Sequence, residues 1–283
     1  MKRTFAAFAA VILAFTAVSC GKKEEKASDE ETAVETTAEA SAQDIDELLT
    51  EKTTTAEELE QELKKLKKSA LERVNMTAQS IPEYEIPDDW HEISDGRIKM
   101  LVPSDVTDQS SENSSIVMGK FLNEDRSVSV ITMESNDWSD KEEETDESEN
   151  YFPEISEENI AAAFNTLGIE YDGTRTSFYK AVLSFTGADR TKENADAFEI
   201  AALAKGFCFF AFPEVFYIDA NGHDIYAHGY PPEGLTGEKF PESNSARFWV
   251  GAFADSNTEY TLMVKGKTRE EALMMCSTIE IVG

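Results

Sequence analysis

An Asn-Gly pair at 221–222, set between two runs of strand-like residues, dictates a β-hairpin. A two-residue turn of this kind needs positive φ at both central positions, which Asn tolerates and Gly adopts freely. Register follows from the turn: Ala220 faces His223, Asp219 faces Asp224, Ile218 faces Ile225, Tyr217 faces Tyr226 and Val215 faces His228. Because side chains alternate across a strand, Phe216, Ile218, Ile225 and Ala227 share an apolar face that belongs to the core. The other face carries Tyr217, Asp219, Asp224, Tyr226 and His228. Two directly opposed carboxylates repel by a few tenths to about 1 kcal/mol, a local cost that a bound cation or ligand amine would relieve. This face is the candidate binding surface, with an ordinary solvent-facing hairpin as the plainer alternative.

The rest of the chain alternates between strand and helix periods. Residues 96–103 read as a strand stopped by Pro103, and 116–122 with 127–133 as two more joined across Asn123-Glu124-Asp125-Arg126. Residues 134–150 hold nine acids against one Lys and read as a solvated loop. They fail as a calcium loop, lacking both the Gly of the sharp turn and the EF-hand spacing. Three helical stripes follow. Ile160, Ala163, Phe164 and Leu167 share one face of a helix capped by Ser156, stapled by Ile155 and Ile160, and ended by Gly168. Phe178, Ala181, Val182 and Phe185 repeat the stripe before Gly187, and Ala195, Phe198, Ala201 and Ala202 before Gly206. The run 207–212 reads as a strand apolar on both faces, interrupted by Pro213. Strands at 247–253 and 259–264 come next. A capping box at Thr268-Arg269-Glu270-Glu271 then opens a helix with Ala272, Leu273, Cys276 and Ile279 inward, before a short strand near 280–282. The expected class is α+β, a mainly antiparallel sheet with packed helices, over residues 90–283.

The part preceding that domain divides into three. Residues 1–19 form an export signal, with Lys2 and Arg3 ahead of an apolar run at 5–18 that is too short to span a bilayer. Ala17-Val18-Ser19-Cys20-Gly21 resembles the lipobox of bacterial lipoproteins. The resemblance implies cleavage before Cys20, diacylglycerol on its sulfur, and a protein held on the extracytoplasmic face of a bacterial cell membrane. Residues 20–54 form an acidic spacer, with Val34 the only large apolar residue in 21–41, and such a segment cannot offset the entropy of ordering. A helix is expected at 55–75, where Thr55-Ala56-Glu57-Glu58 is a capping box, glutamates fill the first turns and Lys64, Lys65, Lys67 and Lys68 the last. Its Leu59, Leu63 and Leu66 stripe fits packing on its own domain, a stalk, or a short coiled-coil seam.

Charge narrows the partners. The formal net charge of −30 becomes −32 once Lys2 and Arg3 leave with the signal, which argues against nucleic acid and against adhesion to anionic lipid. Cys208 and Cys276 could pair outside the cytoplasm, but buried free thiols are the expected state. Neither a zinc-type spacing, a Gly-x-Ser-x-Gly elbow, a Walker loop nor a Gly-x-Gly-x-x-Gly fingerprint occurs in the chain, so no metal, cofactor or catalytic set is expected. His223 and His228 point to opposite faces of their strand and cannot act together as adjacent ligands.

The order of strands, central helices, strands and a terminal strand-helix-strand resembles the PsbP-like α/β sandwich, also seen in DcrB-type envelope lipoproteins. The apolar run from Ile98 to Val102-Pro103 is similar to that family's early strand end. Gly266-Lys267-Thr268-Arg269-Glu270-Glu271-Ala272-Leu273, leading to Ser277-Thr278-Ile279, is similar to its closing segment. The resemblance implies binding and assembly roles and no catalytic set. The expected function is therefore a non-enzymatic binding or interaction module, whose partner is an envelope protein or a small molecule. An extracytoplasmic hydrolase and a solute-binding lipoprotein of a transporter are the alternatives.

Overall fold

The computed structural model describes residues 56–110, 116–139, 155–209, 212–232 and 242–282. The expected signal, lipidation site and spacer lie outside them. The chain divides into two compact units, Met1–Lys68 and Ser69–Gly283. The first contributes most of helix α1 (Ala56–Leu71), whose last turn carries Lys68. Among the described residues no helix is long and apolar enough to cross a membrane.

The second unit is α+β, as expected. A nine-stranded sheet runs in the order β1-β8-β9-β10-β11-β6-β5-β4, with β7 also on β11. Its strands are β1 (Gln79–Ser80), β4 (Thr107–Asp108), β5 (Val117–Leu122), β6 (Ser129–Met133), β7 (Asn136–Asp137), β8 (Glu214–Ala220), β9 (His223–Gly229), β10 (Arg247–Phe253) and β11 (Thr258–Lys265). Among the described residues, only β1 pairs in parallel, with β8. A second sheet, β12-β3-β2, is formed by β2 (His91–Ser94), β3 (Ile98–Val102) and β12 (Glu280–Ile281). It packs with helix α6 (Arg269–Ser277) on one face of the large sheet. There Phe216, Ile225, Phe248, Val250 and Leu262 meet Met100, Val102, Leu273 and Ile279 in one apolar core.

The opposite face meets helix α3 (Arg175–Leu183) through Tyr179 and Lys180, and α4 (Ala195–Cys208) packs against both α3 and α2 (Glu157–Leu167). Ser156 caps α2 by accepting from the Asn159 N–H, and Gly168 closes it at φ 70, the left-handed position glycine adopts without strain. A four-residue helix α5 (Glu242–Ser245) precedes β10. Cys208 and Cys276 are free thiols.

Four expectations need correction. The run at 207–212 is not a strand at its start: α4 continues through Cys208. Residues 201–207 of α4 are all buried, so no polar stripe marks the helix, and an all-round apolar segment has the same pattern as a two-faced strand. Nor does Gly206 end that helix. It lies so close to Ala70, within the same unit, that a Cβ would stand 2.2 Å from that residue's carbonyl oxygen. The β5–β6 loop is longer than four residues, because Val128 is taken into it, with Asn123 Oδ1 accepting the Val128 N–H at 2.9 Å. In the segment after β6, Asn136–Asp137 pairs with β11, so its first part is strand, while 140–150 lie outside the described residues.

Candidate functional site

Asn221 and Gly222 have φ values of 57° and 88°, the left-handed pair that an Asn-Gly hairpin requires. The register is the expected one at every position from Val215–His228 to Ala220–His223. Phe216, Ile218, Ile225 and Ala227 face the apolar core, so Tyr217, Asp219, Asp224, Tyr226 and His228 do share the other face. That face is not open along its length, because α3 lies across it.

At the turn end, Asp219 is exposed and Asp224 half-buried. Asp219 Oδ1 accepts the Gly222 N–H at 3.0 Å, so this carboxylate caps its own turn. Asp224 Oδ1 accepts the Tyr217 hydroxyl at 3.0 Å, and its Oδ2 is 2.7 Å from Lys180 Nζ of α3. An amine from within the chain thus stands where an external cation was expected. Burial first, and then the bond to Asp224, pushes the Tyr217 phenol up to about 12.

Beyond this rim the face is buried. The Tyr226 ring stacks on Tyr179 of α3 with centroids 5.0 Å apart, and the His228 ring stacks on Phe209 at 5.6 Å. Burial, aided by the nearby Arg175 charge, drives the His228 imidazole down to about 3, so it is neutral at physiological pH. Its Nε2 is buried with no hydrogen-bond partner among the described residues.

Sequence reasoning missed the charged group beneath this layer. Arg175, in the first turn of α3, is buried with its guanidinium 4.2 Å from the Trp138 ring centroid and 4.8 Å from that of Tyr179. Its Nε is 3.9 Å from Oε2 of Glu259, which also accepts the Trp138 indole N–H at 2.9 Å. The Glu259 side chain crosses the backbone at Gly251, where a Cβ would meet its Oε1 at 2.4 Å. Burial raises the Glu259 carboxyl against the lowering pull of Arg175 and Trp138, and it pushes the Cys208 thiol up to about 12.

These residues come from 138, 175, 179 and 259, with no shared local motif. Glu259, Thr261 and Met263 alternate as a solvent-facing strand edge would. The arrangement holds a cation between aromatic rings and a carboxylate, and it keeps its imidazole neutral and weakly basic and its thiol protonated. No group of three or more His, Cys, Asp or Glu that could hold a metal ion occurs among the described residues. Compared with known protein families and with curated proteins, the chain matches none.

Proposed function

We propose that this protein is a bacterial lipoprotein, anchored through Cys20 on the extracytoplasmic face of the membrane, whose PsbP-like sandwich acts as a non-enzymatic binding or interaction module. The observation that carries the reading is that the candidate face is occupied by its own chain. Lys180 answers Asp224 and Arg175 answers Glu259. His228 at about 3 and Cys208 at about 12 are each far from the pH range in which acid–base or nucleophilic chemistry needs them. A hydrolase working through this imidazole or this thiol would need it near neutrality. What this layer offers to other molecules is its outer surface.

The contact between the two segments that resemble the PsbP-like family supports the fold assignment. The Leu101 N–H of β3 donates to Thr278 Oγ1, beyond the end of α6, at 2.9 Å, across 177 residues of sequence. The anchor rests on Ala17-Val18-Ser19-Cys20-Gly21. Cells making the Cys20→Ser variant and fed radiolabelled palmitate are expected to leave the protein unlabelled, and either released from the membrane or uncleaved. Label incorporated into that variant would overturn the anchor.

A further inference from the structure

The sheet face that carries Tyr226 and His228 continues past the helices. Register places Trp249 of β10 beside Met263 of β11, Met263 beside Ile131 of β6, and Ile131 beside Lys120 of β5. All four are partly exposed, while Val215 and His228, at the other end of the same cross-strand row, are buried. With strands about 4.8 Å apart, the three apolar members span on the order of 10 Å, the width of one helix. At the β5 edge, Ile116 and Met118 are 65% and 48% exposed.

The rim of this strip is basic. Arg247 pairs with Lys265 in the adjacent row, followed by Ser129, and Lys120 closes the first row. Lys120 and Arg247 make no ion pair among the described residues, and the Lys265 ammonium donates to the Arg126 carbonyl. The chain has 56 acids to 26 bases, yet neither row contains an acid. Glu124 and Asp125 sit off both rows, in the β5–β6 loop.

On the reading of this protein as an interaction module, we propose that this strip docks an acidic, amphipathic segment of another protein. Its apolar side chains cover Trp249, Met263 and Ile131, and its carboxylates meet Lys120, Arg247 and Lys265. A second copy of the chain would set these cations against themselves. An anionic bilayer is broad and would bring more of the chain's acidic surface within a Debye length of about 8 Å than a short segment seated in the strip does.

The test titrates a fluorescent model helix of about 18 residues, leucines along one side and glutamates along the other, into the full chain carrying Cys20→Ser. Saturable binding is expected that weakens with salt, by about tenfold or more in the Lys120→Glu/Arg247→Glu variant, and by less in the Lys120→Gln/Arg247→Gln variant. Circular dichroism and melting confirm that both variants fold. The proposal fails if no binding appears at about 1 mM helix, or if a copy with lysines for glutamates binds equally well. It also fails if charge reversal leaves affinity unchanged, or if phosphatidylglycerol vesicles bind in place of the helix. Palmitate labelling reports on Cys20 alone, so the anchor and the strip can fail separately.

Discussion

Lys205 is wholly buried in α4, where its ammonium donates to the Phe185 carbonyl at 2.6 Å and lies 4.8 Å from the Phe185 ring. Burial outweighs the distant Asp189 and draws its pKa from 10.5 down to about 8. Between those two values the unfolded chain holds a proton that the folded one has released, so stability rises with pH across that window. The buried charge costs on the order of 3 kcal/mol at neutrality. Urea unfolding of wild type and Lys205→Met at pH 7, 8, 9 and 10 should show the wild type gaining on the variant by that order. Taking the difference cancels the thiols and phenols that titrate in the same range, and a constant difference would exclude the effect. The Arg175–Glu259 pair has the opposite logic, since neither partner has water to fall back on. Arg175→Met should cost about 3–5 kcal/mol by stranding a buried carboxylate, and adding Glu259→Gln should recover more than half of it. Simple additivity of the two losses in urea unfolding would show that the pair is not coupled.

Among the elements, α4 is held by contact rather than by a surface stripe, and Gly206 is where that contact is tightest. Gly206→Ala should destabilise by about 1–3 kcal/mol through overpacking against the Ala70 backbone and should speed amide exchange over residues 70–76. Unchanged melting and exchange would mean that the backbone at Ala70 yields without cost. The same helix shows where sequence reading stops. The hairpin at Asn221-Gly222, the capped helix α2 and strand β10 are each written in a few neighbouring residues, and each forms as read. The two-residue strands β1, β4 and β7 have no such local code, because a distant strand supplies their pairing. The five residues of the candidate face were readable for the same reason as the hairpin. Their covering by Tyr179, Lys180 and Phe209 was not, since a helix stripe says that a face is buried without saying against what.

At the scale of the whole molecule, β2 to β6 come from the first half of the described chain and pair among themselves, while the last quarter supplies the strands that complete both sheets. Strand β3 waits for β12 and β6 waits for β11. Trp138 and Glu259, which share a hydrogen bond, are 121 residues apart. Contacts of such long range slow folding, because loop closure must precede the gain they bring. The central place of β11, bonded to β10, β6 and β7, therefore has a meaning in time. For a chain delivered N-terminus first across a membrane, as the proposed anchor requires, the large sheet cannot close until Lys265 has emerged, nor the small one until residues near 280 have. By then the lipid-bearing end has long since arrived. Until that moment β6 is a bare edge, and a chain cut short before Thr258 would remain one: tethered, acidic enough to stay apart from its neighbours, and unable to finish.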